Sequence, residues 1–481
     1  MNKHFLSGLL LLSLLQGASA EAPLTLQSLV SRAVRNPEVQ GAAIRPALDG
    51  VQARAARTAF DPTLKIKYYT GQTPVPSTVN PQLLMSQESA ASVGISARTS
   101  GGITWSVEYY PYQQTGALAL GATGTQSLTL QTNLRAALTV PLLRDAGEVN
   151  TAPERRALAQ QAQSLAGLQR RAMEVITETE RTWWAVRLAE QVIASRERSV
   201  AEGQRFLELV KARVAAGRLA PYQTFEAQHD LTARTLALAV ARRDGQAARE
   251  RLALLTALRP EELQLAAQEA AFSLPELPSL EGLVAEAMKS RPEARQAEIA
   301  MQLAEIEAEV QANHARPKLN LPAEYFTDTV KGGSPGYRVG IEFQQTLGDA
   351  AIIEQDRAAL LRREAELQME TARRAIEQDL RAALRELESA RIRREAAQAA
   401  RTAAQGLLEA EQLRFETGLV APAPVLLAAQ KLHEASDLEA LADYEARAAV
   451  AGLRLAQGTA LQAWGLEVQS LVQEVAPSRG Q

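Results

Sequence analysis

Cysteine does not occur anywhere in this 481-residue sequence. The chain can therefore form no disulfide, no thiolate metal site and no cysteine nucleophile. A lipid anchor attached through an N-terminal cysteine is not expected, for the same reason.

Aromatic residues are scarce as well, at 4% of the chain. So few large rings make a poor core for a globular protein of this length. The apolar residues are mostly alanine, leucine and valine, and Glu, Gln and Arg stand between them. This composition is typical of long helices that pack along one another as coiled coils.

Long apolar runs are confined to the N-terminus. Lys3 precedes an apolar stretch at residues 5–15, and Ala18-Ser19-Ala20 follows it. This pattern predicts a signal peptide over residues 1–20 that is cleaved after Ala20. Beyond Leu15 no run approaches the roughly 18 apolar residues of a transmembrane helix. Only strands could take the rest of this chain into a membrane.

Charge of one sign does not dominate either. Without residues 1–20 the chain carries 51 basic and 55 acidic side chains. This balance gives no reason to expect nucleic acid as a partner.

The sequence repeats itself once. The segment LQSLV at residues 26–30, followed by Asn-Pro-Glu at 36–38, returns as LEGLV at 280–284, followed by Arg-Pro-Glu at 291–293. In both copies an Ala- and Glu-rich helical pattern follows, then period-two alternation, then a very long helical pattern with one break.

These landmarks predict two tandem repeats after the signal peptide. The first repeat covers residues 21–272 and the second covers 280–460, with a C-terminal tail at 461–481. Strands are expected at about 62–142 in the first repeat and at about 317–347 in the second.

The alternating segments have one apolar and one polar face. From residue 128 to 142 the even positions are mostly Leu, Ala and Val, and the odd positions are mostly polar. This 15-residue run exceeds the roughly 9–11 residues of a transmembrane strand. A half-buried sheet in a water-soluble protein would give the same alternation. Five aromatic residues are candidates for the membrane interface: Tyr68, Trp105, Tyr109, Tyr325 and Tyr337.

The first repeat has more strand-forming sequence than the second. Residues 92–109 read as a hairpin around the turn Arg98-Thr99-Ser100-Gly101-Gly102. The hairpin could add two strands to a wall or form an elaborated surface loop, and the loop is the favoured interpretation.

Proline is missing from two long segments. None occurs between Pro153 and Pro221 or between Pro335 and Pro422. Helices of about 65 residues would span roughly 95 Å at 1.5 Å per residue. Each pattern breaks once, at Gly217 and Gly418, because glycine can take the positive φ of a sharp turn. We therefore expect long helical hairpins at about 148–258 and 351–460.

Closure of the strands determines the assembly. Two strands per repeat give four per chain, too few to close a barrel, and open sheet edges are not tolerated in lipid. Three copies would close a twelve-stranded transmembrane β-barrel. A long periplasmic α-helical coiled-coil barrel would continue it for about 100 Å. The predicted fold class is therefore mainly α with a β-barrel portion, in a homotrimer.

Several motifs in duplicated order resemble the TolC family of outer-membrane efflux proteins over essentially the whole mature chain. Besides the motif at residues 26–38, PLLRDAG occurs at 141–147, Arg-Phe-x-x-Gly at 414–418 and Ala-Ala-Gln at 428–430. The resemblance implies a trimeric channel in the bacterial outer membrane, with a helical barrel in the periplasm.

The resemblance also implies a function and partners. The chain would be a passive conduit in a tripartite efflux pump or a type I secretion system, with outer-membrane lipid around its strands. It would act with a periplasmic adaptor protein and an inner-membrane transporter. The positions that correspond to the adaptor-contacting hairpin tips are Gly217, Arg218, Leu219, Gly418, Leu419 and Val420.

One position departs from the family. Members often carry an aspartate nine residues after the second tip glycine, in a ring that narrows the pore. Here that position is Leu427, and its first-repeat equivalent is Glu226. Either could form a constriction, as an acidic ring or as an apolar gate. An exposed helical glutamate is the plainer interpretation of Glu226.

Two other classes of function compete with the channel. One is a periplasmic structural coiled-coil protein without a pore, which would be soluble after cell breakage. The other is an enzyme, but the mature histidines, His229, His314 and His433, are too scattered for a local metal motif. No phosphate-binding loop or nucleophile motif is present. We therefore expect no catalytic residue, no metal and no cofactor.

Overall fold

The computed structural model describes residues 23–75, 84–119, 127–266, 272–276, 278–328, 335–417 and 419–475. The predicted signal peptide lies outside them. Contacts between residues group the chain into two compact units, and each contains segments from both halves of the sequence. Unit 1 comprises residues 1–33, 179–274 and 404–440. Unit 2 comprises residues 34–178, 275–403 and 441–481.

The elements follow a similar order in the two halves of the chain. In the first half they are α1 (Leu26–Ala33), α2 (Pro37–Arg57), β1 (Thr63–Val75), β2 (Leu84–Arg98), β3 (Thr104–Ala119), β4 (Ser127–Pro141), α3 (Ala152–Ala215) and α4 (Tyr222–Thr256). In the second half they are α5 (Leu280–Ser290), α6 (Pro292–His314), β5 (Lys318–Asp328), β6 (Gly336–Val339), β7 (Glu342–Gln344), α7 (Ala350–Glu416) and α8 (Pro422–Gln457). The short helices α9 (Ala460–Ala463) and α10 (Val468–Val475) follow. Within the part of the chain that the structure describes, no helix is long and apolar enough to cross a membrane.

Local chemistry explains where α2 begins. The Asn36 side chain accepts a hydrogen bond of 2.8 Å from the Val39 amide, and Pro37 occupies the first turn of α2. Asn is a preferred N-cap, and proline suits the first turn because its missing N–H would have no partner there. The Asn-Pro-Glu motif is thus the start signal of α2.

Unit 2 contains one antiparallel sheet in the order β1-β2-β3-β4-β5-β6, with β7 also paired to β5. Strands β6 and β7 form one returning pass beside β5, interrupted at residues 340–341. The chain therefore crosses the sheet six times.

The favoured interpretation of residues 92–109 as a surface loop is wrong. Strands β2 and β3 lie between β1 and β4 and pair with both along most of their length. The sequence predicts a hairpin here, but a hairpin pattern does not say whether its strands pair with the neighbouring strands.

Four helices of unit 2 follow one another through ion pairs. Glu38 on α2 pairs with Arg171 on α3, and Arg155 on α3 pairs with Glu309 on α6 at 2.7 Å. Arg291, at the start of α6, pairs with Asp379 on α7 at 2.8 Å. These contacts give the order α2, α3, α6, α7.

Three residues of α7 supply part of the unit 2 core. Ile376, Leu380 and Leu387 are each at most 2% exposed.

Two apolar clusters lie among the described residues of unit 1. Leu29 of α1, Trp183 and Val186 of α3, and Leu252 of α4 belong to the first. The second contains Leu207, Val210 and Ala227, with Leu219 packed against it. These clusters hold the two arms of the α3–α4 hairpin together.

Candidate functional site: the sheet face and the hairpin tips

One face of the sheet in unit 2 is apolar across all six passes. A row of paired residues runs from β1 to β6 in register: Leu64, Ile95, Val107, Ala136, Tyr325 and Tyr337. Directly opposed residues in an antiparallel sheet project to the same side. Leu64 is 62% exposed and Tyr337 is 82% exposed in the single chain. A water-soluble sheet with this face uncovered would be unusual.

The five aromatic residues that the sequence singles out all lie on this apolar face. Tyr68 follows Leu64 and Ile66 on β1, and Trp105 and Tyr109 flank Val107 on β3. Tyr325 and Tyr337 are themselves a directly opposed pair. Tyrosine and tryptophan on the outer face of a strand suit the boundary between lipid and water.

The opposite face carries charge. Lys67 on β1 pairs with Glu108 on β3 at 3.3 Å, and the Ser92 hydroxyl donates to Glu108 at 2.9 Å. On the same face, farther along the sheet, Glu324 pairs with Arg135 at 3.0 Å and with Arg338 at 3.6 Å. One face is thus suited to hydrocarbon and the other to water.

The first hairpin tip lies in unit 1, between α3 and α4. Gly217 has φ +70°, and its amide donates to the Val214 carbonyl at 3.0 Å. The Arg218 amide donates to the Arg213 carbonyl at 2.9 Å, which completes a glycine C-cap. Arg218 is exposed, whereas Leu219 packs against the second apolar cluster. Arg218 is therefore the more accessible of these two candidates.

The helix that returns from this tip begins without a polar cap residue. Ala220 precedes Pro221, as the sequence shows, but the buried Gln223 side chain accepts a 3.1 Å hydrogen bond from the Ala220 amide. Gln223 thus stabilises the start of α4 from within its first turn.

The second tip joins α7 to α8, also in unit 1. Gly418 lies outside the described residues. The Leu419 amide donates to the Arg414 carbonyl at 2.8 Å, and the Leu419 side chain is 74% exposed. Val420 is half-buried.

Sequence reasoning missed three features near the tips. Tyr222 and Phe225, in the first turn of α4, are 60% and 76% exposed. Large exposed rings are typical of protein contact sites. The third feature joins α3 to α7: the Arg213 guanidinium lies 4.1 Å from the centre of the Phe415 ring and donates to the Phe415 carbonyl at 3.1 Å. The two rings beside Pro221 could have been noticed, but the α3–α7 contact has no signal in the sequence.

The two candidates for a pore constriction are both accessible in the single chain. Glu226 on α4 is exposed, and Leu427 on α8 is 54% exposed. Whether either narrows a pore stays a prediction.

A polar cluster inside unit 1 surrounds His433 of α8. Its Nε2 atom lies 2.9 Å from the Ser199 hydroxyl and 3.2 Å from an Arg234 nitrogen. Burial, together with Arg234 and Arg196, lowers the pKa of His433 to about 4, so the ring is neutral at pH 7 and accepts from both donors. Asp437 forms an ion pair with Arg196 beside it. In the described part of the chain, no three His, Asp or Glu side chains come together as a possible metal site.

Several solved structures are similar to this chain along most of its length, and three of them illustrate the likeness. The CmeC outer membrane channel of Campylobacter jejuni has a TM-score of 0.67 at 14% identity and covers 95% of this chain and 90% of its own. The MtrE outer membrane channel of Neisseria gonorrhoeae has 0.67 at 18%, covering 91% and 89%. The outer membrane protein VceC of Vibrio cholerae has 0.65 at 15%, covering 90% and 96%.

No profile of a known protein family and no curated protein sequence matches this chain. At identities of 14% to 18% the likeness to solved structures shows the fold. The fold that the resemblance to the TolC family implies, long helices joined to an antiparallel sheet, is confirmed.

Proposed function

We propose that this chain is the outer-membrane channel of an export machine, a passive conduit from the periplasm or cytoplasm to the outside. The observation that carries the proposal is the apolar row of side chains that crosses all six passes of the sheet. Lipid would cover this face, and the charged face would line a water-filled pore. The solved outer-membrane channels with the same fold support this assignment.

The pore would be closed by three copies of the chain. Among the described strands, β1 and the β6–β7 pass are the two edges of the sheet. A sheet edge in lipid must be paired, because its N–H and C=O groups have no water to bind. Strand β1 of one copy would pair with the β6–β7 pass of the next around the ring. The predicted signal peptide fits this location.

The partners of the channel would be a periplasmic adaptor and an inner-membrane transporter. We expect the adaptor to contact the helix-hairpin tips at Gly217, Arg218, Leu219, Gly418, Leu419 and Val420. The exposed rings of Tyr222 and Phe225 would extend the same contact. The energy for export would come from the transporter, and the channel itself would catalyse no reaction.

The experiment that tests the channel is fractionation followed by conductance measurement. We expect the protein in the outer-membrane fraction, as a detergent-soluble trimer that forms stepwise conducting pores in planar bilayers. A protein that is soluble after cell breakage and forms no pore would instead support a periplasmic structural coiled-coil protein.

A second experiment tests the docking site. A photo-crosslinking residue in place of Arg218 or Leu419 should capture the adaptor in living cells. Leu236, 67% exposed on α4, serves as a matched position away from the tip. Equal capture at all three positions would argue against docking at the tips.

A further inference from the structure

We propose that the β2–β3 hairpin is part of the membrane-spanning wall, so that each chain contributes six strands and three copies close an eighteen-stranded barrel. This inference rests on the proposed channel function. It replaces the four strands per chain, and twelve per trimer, that the sequence predicts.

The outer face of the hairpin carries exposed apolar side chains. Ile95 and Val93 on β2 are 45% and 42% exposed, and Val107 and Tyr109 on β3 are 43% and 47% exposed. Ile95 opposes Leu64 on β1, and Tyr109 opposes Leu134 on β4. In the part of the sheet nearest the helices, the hairpin thus continues the apolar face of its neighbours. A loop exposed to water outside the membrane would have no use for this face.

On the opposite face, the hairpin takes part in the charged surface of the sheet. The ion pair between Lys67 on β1 and Glu108 on β3 crosses β2, whose residues there are small. A side chain at Gly94 would crowd Glu108, since a Cβ there would lie 3.1 Å from its Cγ. The small residues of β2 therefore let charges from β1 and β3 meet. The hairpin belongs to the charged face as fully as to the apolar one.

The turn of the hairpin is anchored by hydrogen bonds. The turn at residues 99–103 lies against the junction that leads from β4 into α3. The Gly101 carbonyl accepts from the Gly147 amide at 3.1 Å, and Arg98 donates to Asn150 at 2.5 Å. Gly102 has φ +94°, and a Cβ there would lie 2.2 Å from the Asp145 carbonyl oxygen. The hairpin is therefore fixed at the helical end of the sheet.

The strands of the hairpin are long enough to cross a membrane. From this turn, β2 and β3 extend for 15 and 16 residues, as far as β4 with its 15. A tilted strand needs about 9–11 residues to cross the hydrocarbon layer. Both strands of the hairpin can cross it completely.

The eighteen-stranded wall also fits the helices that continue from it. Four helices per chain, α2, α3, α6 and α7, give twelve in a trimer. Twelve helices about 9 Å apart make a ring of about 110 Å. Eighteen strands about 4.8 Å apart and tilted by about 40° have the same circumference. Barrel diameter grows roughly linearly with strand number, so the pore would be about 1.5 times as wide as one of twelve strands.

Spin labelling tests the position of the hairpin, and the chain is suited to it because it has no cysteine. Single cysteines at Val93, Val107 and Ser106 would carry a nitroxide in trimers reconstituted into lipid. Leu134 and Arg135, on the two faces of β4, are the matched controls. We expect labels at Val93 and Val107 to be reached by oxygen, which concentrates in lipid, as at Leu134. The label at Ser106 should be reached by a water-soluble nickel chelate, as at Arg135.

The controls separate the two proposals. If Leu134 is in lipid while Val93 and Val107 are in water, the hairpin is outside the wall and the six-strand inference is wrong. If Leu134 is also in water, the channel proposal itself fails. Electron cryo-microscopy of the trimer in a lipid nanodisc gives an independent count, because end-on views should show eighteen strands, and twelve would overturn the inference.

Discussion

At the residue scale, His433 is a half-buried base held neutral by its surroundings. Two donors, Ser199 and Arg234, point at its Nε2 atom, and its pKa of about 4 lies below the ordinary 6.5 of histidine. Such a lowered pKa means that the folded chain favours the neutral ring, while the unfolded chain takes up a proton first as pH falls.

This linkage gives a pH dependence with a definite sign. The stabilisation is complete above the unfolded pKa of 6.5 and is lost as pH falls toward 4. We expect the thermal midpoint to fall by a few degrees more in the wild type than in His433→Gln between pH 7 and 4.5. Glutamine keeps an acceptor but does not titrate. Differential scanning fluorimetry across this range measures the effect.

The matched control is His229→Gln, the same change at an exposed histidine of unit 1. It should leave the pH profile of the wild type unchanged. Identical profiles for all three proteins would show that His433 contributes nothing to the acid response.

Glycine offers a second residue-scale prediction, in which one substitution has opposite effects at two sites. Gly217 needs φ +70°, which costs an alanine roughly 1 kcal/mol. Gly406 lies in the exposed interior of α7 with nothing within 4 Å of an added Cβ, so alanine there should gain about 0.5–1 kcal/mol. We expect Gly217→Ala to lower the unfolding midpoint in urea and Gly406→Ala to raise it.

Both changes add one methyl group in unit 1 at open positions, so each serves as the control for the other. If both substitutions lowered the unfolding midpoint, the positive φ of Gly217 would not explain why alanine destabilises the tip.

At the element scale, the ends of α3 and α7 are joined by Arg213 and Phe415. The guanidinium lies over the ring and also donates to the carbonyl, and Phe206 packs against the same ring with 5.6 Å between ring centres. Arg213→Gln removes the cation–π contact and its charge-assisted hydrogen bond, at a cost of about 1–2 kcal/mol.

We expect this loss to appear locally, as faster hydrogen exchange at residues 410–417. A cost of about 1.4 kcal/mol corresponds to tenfold faster exchange if the segment opens alone. Arg218 is exposed at the tip of the α3–α4 hairpin. Arg218→Gln should therefore change hydrogen exchange at residues 410–417 very little. Equal effects from the two variants would contradict the role of the Arg213 contact.

Helices were the more predictable elements. The absence of proline predicts one long helix, and the break at Gly217 predicts where it ends. In the structure α3 ends at Ala215 and α4 begins at Tyr222. Strands were harder, because period-two alternation describes a strand but not its partner. The pairing of β2 with β1 and β4 depends on residues far apart in sequence, and no local pattern reports it.

The candidate sites divide in the same way. The aromatic residues on the sheet could be assigned to one face, because parity along a strand decides it. The inward packing of Leu219 and the cluster around His433 could not be predicted, since both depend on which helices become neighbours.

At the scale of the whole molecule, two helices of unit 2 each carry a stripe of exposed apolar side chains. Ile353, Leu360 and Leu367 recur every seven residues on α7 and are 62%, 71% and 48% exposed. On α2, Ile44, Leu48 and Val51 are spaced by four and three and are 44% to 52% exposed. These are coiled-coil spacings, and α2 and α7 are the first and last of the four helices that ion pairs join. The two stripes would meet between copies.

Charge on the α7 stripe should therefore prevent assembly. We expect Leu360→Glu to convert the trimer in detergent into monomers, because a carboxylate in an apolar seam is strongly unfavourable. Mass photometry measures the distribution directly. Arg363→Glu brings a carboxylate to an exposed position one turn away and should leave trimers intact. Trimers of both variants would place the contact between copies elsewhere on the helix.

The anchored turn at Gly101 and Gly102 has a consequence for how the number of strands in such a sheet can change. A hairpin that leaves and returns at one end of a sheet does not reverse any strand that follows it. Two strands can thus be inserted between β1 and β4 while every helix keeps its direction, length and neighbours. The number of strands in the sheet and the length of the helices can then vary independently.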